Sequence, residues 1–102
     1  MKIYGQTDEI VVRGMTADDF GKFLELMTEH GKEEDFTVED IKVVWEFRKK
    51  KGDIQCVITS VDGDMVYGFG GIVHSELSVD LFREYIGKGY EEQAWSIIEH
   101  LK

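Results

Sequence analysis

The stretch Glu84-Tyr85-Ile86-Gly87-Lys88-Gly89-Tyr90-Glu91 joins a segment of alternating apolar residues to an amphipathic helix, and its reading decides the fold. Glycines at a strand-to-helix junction expose backbone N–H groups. The helix N-terminus adds partial positive charge, so the turn offers a cradle for an anion. Glu91 and Glu92 follow at once and would repel one. Beyond the turn, Ala94, Ile97, Ile98 and Leu101 recur on one helical face. Before it, Leu77, Val79 and Leu81 alternate as a strand, preceded by a turn at His74-Ser75. The segment from Asp64 to His74 reads as the previous strand, with Gly68, Gly70 and Gly71 marking a bulge or a close backbone approach. Asp62-Gly63 is a two-residue hairpin signal. Upstream of it, Ile54, Cys56 and Ile58 alternate with Gln55, Val57 and Thr59 as the first strand of a three-stranded meander.

The N-terminal half has helical period instead. Ile10-Val11-Val12, within Asp8 to Gly14, is a short strand by its β-branched content. Thr16 with Asp19 starts a helix by capping-box chemistry, Phe20, Phe23, Leu24 and Met27 form its apolar face, and Gly31 stops it. Lys32 to Asp35 reads as a charged loop. Thr37 with Asp40 repeats the cap. Ile41, Val44, Trp45 and Arg48 then share one face, which Val43 and Phe47 widen. The basic run Arg48 to Lys51 complements the helix dipole, and Gly52 closes the helix. The predicted class is α+β: an N-terminal strand, two helices, a three-stranded meander and a C-terminal helix, in one domain over 1–102.

Composition narrows the function classes. The chain has 102 residues, one cysteine, no proline and a formal net charge of −9. That charge argues against direct contact with nucleic acid or anionic lipid, and it favours a cationic protein surface as partner. No window has the roughly 20 apolar residues of a membrane span. A lone Cys56 permits no internal disulfide, which fits a reducing, cytoplasmic setting. His30, His74 and His100 lack ligand spacing, so no metal site is expected.

The order of elements and several motifs resemble the GNAT-type N-acetyltransferase superfamily, from Ile10 to Leu101. Ile10 to Asp19 is similar to the family's opening strand and the start of its first helix. Met65 to Gly71, with Tyr67-Gly68-Phe69, resembles its glycine-aromatic strand. Leu81 to Gly89 resembles the end of its central strand and its pyrophosphate loop. The family loop reads Arg/Gln-x-x-Gly-x-Gly/Ala, and those positions fall on Ile86, Gly89 and Glu91, of which Gly89 keeps the pattern. The resemblance implies that Gly87, Lys88, Gly89 and Tyr90 would hold the diphosphate of acetyl-CoA and that Glu76 is the candidate general base. Family members continue with further strands and a helix after the position of Lys102, often with a tyrosine acid. Ile86 removes the basic or amide group of the loop, and Glu91 sets a carboxylate where the family has a small residue. These departures point away from catalysis and from a cofactor.

Acidic residues concentrate in the two-helix region. Asp18, Asp19, Glu25, Glu29, Glu33, Glu34 and Asp35, followed by Glu39 and Asp40, are opposed there by Lys22 and Lys32. Such a field steers cationic partners. The leading expectation is a non-catalytic GNAT-like protein that binds another protein through these carboxylates, with Trp45 or Trp95 as contact aromatics. An inhibitor of a cationic or nucleic-acid-handling host protein, of the kind phages and mobile elements carry, is its concrete version by analogy. The alternative is a minimal acyl-CoA-dependent N-acetyltransferase completed by dimerisation. A third is an assembly subunit pairing with its own copy through an open strand edge.

Overall fold

The structure is a computed structural model that describes residues 1–31 and 36–102. Five strands form one antiparallel sheet in chain order: β1 (Ile3–Gln6), β2 (Val11–Gly14), β3 (Ile54–Thr59), β4 (Val66–Val73) and β5 (Glu76–Leu81). Helices α1 (Phe20–Glu29) and α2 (Val38–Lys50) connect β2 to β3, and α3 (Tyr90–Glu99) follows β5. The class is α+β. No helix among the described residues is long and apolar enough to cross a membrane.

Strand alternation sends successive β3 side chains to opposite faces, and each face has its own core. Cys56 and Ile58 join Ile10, Val12, Leu81, Ala94 and Ile98 beneath α3. Val57 joins Phe69 and Leu26 beneath α1, where the Phe23 and Phe69 rings meet edge-on at 5.0 Å. Ile10, Ile58 and Ile98 have no exposed surface, which at about 1.5–3 kcal/mol for each buried side chain makes the α3 face the larger contributor.

Both expected caps form. Thr37 and Asp40 bond reciprocally, the Thr37 N–H donating to Asp40 Oδ2 at 2.9 Å and the Asp40 N–H to Thr37 Oγ1 at 3.2 Å. At the other cap, the Thr16 N–H donates to Asp19 Oδ2 at 2.8 Å and a single 3-10 turn, Ala17–Asp19, leads into α1. Asp19 does more than cap. It is 5% exposed, and Arg13 from β2 holds it through two parallel bonds of 2.9 and 2.8 Å. This pair ties the sheet to the start of the helical layer.

Three sequence expectations are corrected. The meander is part of a five-stranded sheet, because Ile3–Gln6 adds an edge strand; its Gly5 lies so close to Ile97 that a Cβ would sit 2.8 Å from that side chain. Asp62-Gly63 is not a two-residue hairpin. The Ser60 N–H donates to Met65 O at 2.9 Å, and Asp62 Oδ1 accepts from Ser60 Oγ and the Asp64 N–H, so the loop closes four residues wide. The two-residue turn is His74-Ser75, whose φ values of 55° and 65° twist it in the sense antiparallel strands need. Finally, Val43 and Phe47 do not widen a buried face: they are 66% and 53% exposed, while Ile41 is buried.

Candidate functional site

Backbone geometry explains the glycine turn first. After Leu81 the Phe82 N–H still donates to Tyr67 O at 2.9 Å, and a 3-10 turn, Arg83–Tyr85, redirects the chain. Gly87 and Gly89 then take φ values of 89° and 85°, the left-handed region that costs a side-chain-bearing residue about 1 kcal/mol or more. Gly89 is the N-cap of α3 and brings no side chain to the orphan N–H groups of the first turn. Glu91 and Glu92 occupy that turn, both exposed. Glu92 Oε2 lies 3.9 Å from the point where a Gly89 Cβ would stand. Lys88 is exposed beside it. The structure thus brings Gly87, Lys88, Gly89 and Tyr90 into one open corner, with a carboxylate already inside it.

Tyrosines buttress the corner. Tyr67 from β4 stacks on Tyr90 at 4.4 Å with rings 6° from parallel, and meets Tyr85 at 4.6 Å. Tyr67 is the additional residue of a β-bulge, since Ile58 pairs with Gly68 and Thr59 with Val66. Desolvation and the hydrogen bond with Tyr90 raise the Tyr67 phenol above its usual range, and desolvation followed by Glu84 raises Tyr85. Tyr67 and Tyr85 are therefore uncharged at neutral pH. Tyr85 and Tyr90 were legible as neighbours of the turn. Tyr67 was not, because its place depends on the bulge.

No family model and no curated protein matches this chain. Its own chemistry must carry the reading.

The expected acidic residues divide. Glu33, Glu34 and Asp35 lie outside the described residues. Asp18 is exposed. Asp19 is removed from any contact surface by burial and by Arg13, a correction to its expected role. Glu25 and Glu29 on α1 meet Asp64 from the β3–β4 loop and Glu84 beyond β5, around a cleft of about 310 Å3 walled by Phe82 and Tyr85. Lys22 lines it too, 3.5 Å from Glu25. Glu29 is fixed there, its Oε2 accepting from the Arg83 N–H at 3.0 Å and its carbonyl from the Arg83 guanidinium at 3.1 Å. Asp64 and Glu84 are too distant in sequence from the helices for a composition argument to join them. The expected contact aromatics differ: Trp45 is half-buried against Phe20, with Lys49 Nζ 3.8 Å over its ring, whereas Trp95 on α3 is 43% exposed.

Glu76 opens β5, exposed and beside the His74-Ser75 turn. Five strand steps separate it from Leu81, about 17 Å, so it is remote from the glycine corner. His30 Nε2 bonds Leu81 O at 3.0 Å, and His100 Nδ1 bonds Ser96 O at 2.6 Å. Among the described residues no group of three or more His, Cys, Asp or Glu could hold a metal ion. Cys56 is 1% exposed, and burial pushes its thiol up to about 12. Iodoacetamide at pH 8 is expected to leave the folded protein unlabelled and to label it fully in denaturant. Native labelling on the same timescale would contradict the buried position.

Proposed function

We propose that this chain is a small acidic GNAT-like protein that works by docking on a cationic protein surface, without acyl transfer. From β2 onward, the order of a strand, two helices, an antiparallel meander, a glycine turn and a helix supports the likeness. The observation that carries the docking reading is the convergence of Glu25, Glu29, Asp64 and Glu84 around one aromatic-walled cleft. A lysine or arginine side chain of a partner would find carboxylates at the rim and the Phe82 and Tyr85 rings for its stem and its charge. Met65 lines the same cleft and is 49% exposed, which supplies apolar contact area. A basic face of a nucleic-acid-handling protein offers such side chains, and blocking it is the concrete version of this function.

Electrostatics weigh against the cofactor. A carboxylate about 4 Å from a phosphate costs about 1 kcal/mol in water and about 4 at an effective dielectric of 20. A helix N-terminus returns about 0.3–2 kcal/mol. Two carboxylates, Glu91 and Glu92, share the first turn of α3, so repulsion matches or exceeds that attraction.

Two measurements test this. The wild type is expected to capture a basic partner that high salt releases. Glu25→Lys with Glu84→Lys should lose the capture while keeping the wild-type melting temperature, because both side chains are exposed. A partner retained by the double reversal refutes the cleft. Acetyl-CoA is expected to leave the melt unchanged. The second reading, a minimal acyl-CoA-dependent N-acetyltransferase, is favoured by the two left-handed glycines at the start of α3 and predicts the opposite. A ligand at a hundredfold its Kd stabilises by about 2.7 kcal/mol. A shift of that size, lost in Gly89→Trp, would establish the second reading.

A further inference from the structure

We propose that the outer face of α2 pairs with the same face of a second copy of this chain, the two helices running antiparallel. Val43 and Phe47 carry the contact. They stand about one helical turn apart and are 66% and 53% exposed, while the buried Ile41 and the half-buried Trp45 take the opposite side of the helix. Neither belongs to the cores beneath α1 and α3. The Lys51 ammonium lies 5.2 Å over the Phe47 ring and leaves half of that side chain in water. The helix dipole accounts for acids at the start of α2 and bases at its end, but it gives no reason for two large apolar side chains to face solvent. The face shares no residue with the acidic cleft.

Charge selects the occupant. α2 begins with Glu39 and Asp40 and ends with Arg48, Lys49 and Lys50. A partner surface of one sign satisfies one end of this helix and is repelled by the other. A second copy turned antiparallel satisfies both ends at once, and the aligned helix dipoles oppose each other favourably. With the two-fold axis level with Trp45, Val43 lies level with the partner's Phe47, and the reverse contact repeats by symmetry. Glu39 then falls within one residue's rise, about 1.5 Å, of the level of the partner's Lys50. Glu46 comes near the axis, where Lys42 and Lys50, each four residues away on its own helix, offset it. α2 has 13 residues and is therefore about 20 Å long. One helix pair of that length buries less than the roughly 1,200 Å2 of a standard interface, so the dimer is weak and reversible.

The test is sedimentation equilibrium of the full chain from about ten micromolar to about one millimolar, a range that brackets a weak dimer. The average mass is expected to rise from 11.8 kDa toward twice that value. Phe47→Glu should stay at the monomer mass throughout, with the melting temperature of dilute wild type, because the side chain it replaces is exposed. Glu39→Lys should weaken the dimer by about threefold to tenfold, and Glu39→Lys with Lys50→Glu should restore it, since the two reversed charges meet again across the axis. A monomer mass at every concentration, a Phe47→Glu protein that dimerises like wild type, or a double reversal no tighter than the single one would overturn the proposal. If Phe47→Glu does not fold, the wild type and the charge reversals decide.

Discussion

Replacing Gly71 by alanine is expected to lower the melting temperature by roughly 12–24 °C, equivalent to about 3 kcal/mol in a domain of this size. Two independent penalties add. A Cβ built at Gly71 would stand 2.0 Å from Ile54 O and 3.2 Å from Gln55 Cα, both backbone atoms of β3, which no rotamer change can move aside. The φ of 150° at Gly71 is also one that side-chain-bearing residues rarely adopt, a strain of about 1–3 kcal/mol. Gly68→Ala meets the sheet from the other side, 2.2 Å from Asp80 O on β5, and should behave alike. The contrast is Gly21→Ala on α1, where a Cβ meets nothing within 4 Å. There alanine is expected to stabilise by about 0.5–1 kcal/mol through helix propensity. Thermal melts of the variants check the pair of signs. A Gly71→Ala melt within two or three degrees of wild type would show that β3 and β4 are not paired as described.

Removing Asp19 is expected to cost at least as much. Asp19→Ala leaves the Arg13 guanidinium without its bidentate partner at a site where the two side chains are only 16% and 7% exposed. Breaking such a pair on one side costs about 3–5 kcal/mol. The lost bond to the Thr16 N–H adds to it. Arg13→Met combined with Asp19→Leu should recover much of this, since apolar groups of similar volume need no counter-ion. The pH dependence follows from the same carboxyl. Burial raises its pKa, but the bonds from Arg13 and Thr16 together outweigh burial, and the net direction is below the ordinary 3.8. A depressed folded-state value means the contribution is complete above 3.8 and disappears as pH falls through the folded pKa. Urea titrations from pH 7 down to pH 2 should therefore show a loss in wild type that Asp19→Asn lacks. An Asp19→Ala protein within 1 kcal/mol of wild type would make the pair ornamental.

Local chemistry made the helices readable. Thr37 with Asp40 and Thr16 with Asp19 are caps in the folded chain because the oxygen and the N–H they join are three residues apart and need no distant partner. Gly31 and Gly52 close α1 and α2 with φ values of 67° and 81° for the same reason. Strand alternation from Ile54 to Thr59 was equally plain. It failed at Ile3–Gln6, where the one large aliphatic residue, Ile3, is exposed and only Tyr4 and Gly5 are half-buried, so no period marks it. Asp62-Gly63 misled because the dipeptide fits several turns, and the Ser60 hydroxyl on Asp62 decided for the wider one.

The sites divide the same way. Gly87 to Tyr90 could be placed as one corner, since a strand-to-helix turn is contiguous in sequence. The acidic face could not. Asp19 read as one more surface carboxylate, yet Arg13 draws it inward from β2. Glu25 and Glu29 acquire meaning only beside Asp64 and Glu84.

The sequence alone determined where helices start and stop, the alternation of the meander, the glycine turn before α3 and the negative charge, all legible without distant contacts. Tertiary structure decided which carboxylates are surface and which are anchors, that Tyr67 completes the tyrosine group, and that Val43 and Phe47 face outward. These depend on strand order, on a bulge and on the way two helices lie over the sheet. Contacts across dozens of residues follow from the folded path of the backbone and leave no period in the chain.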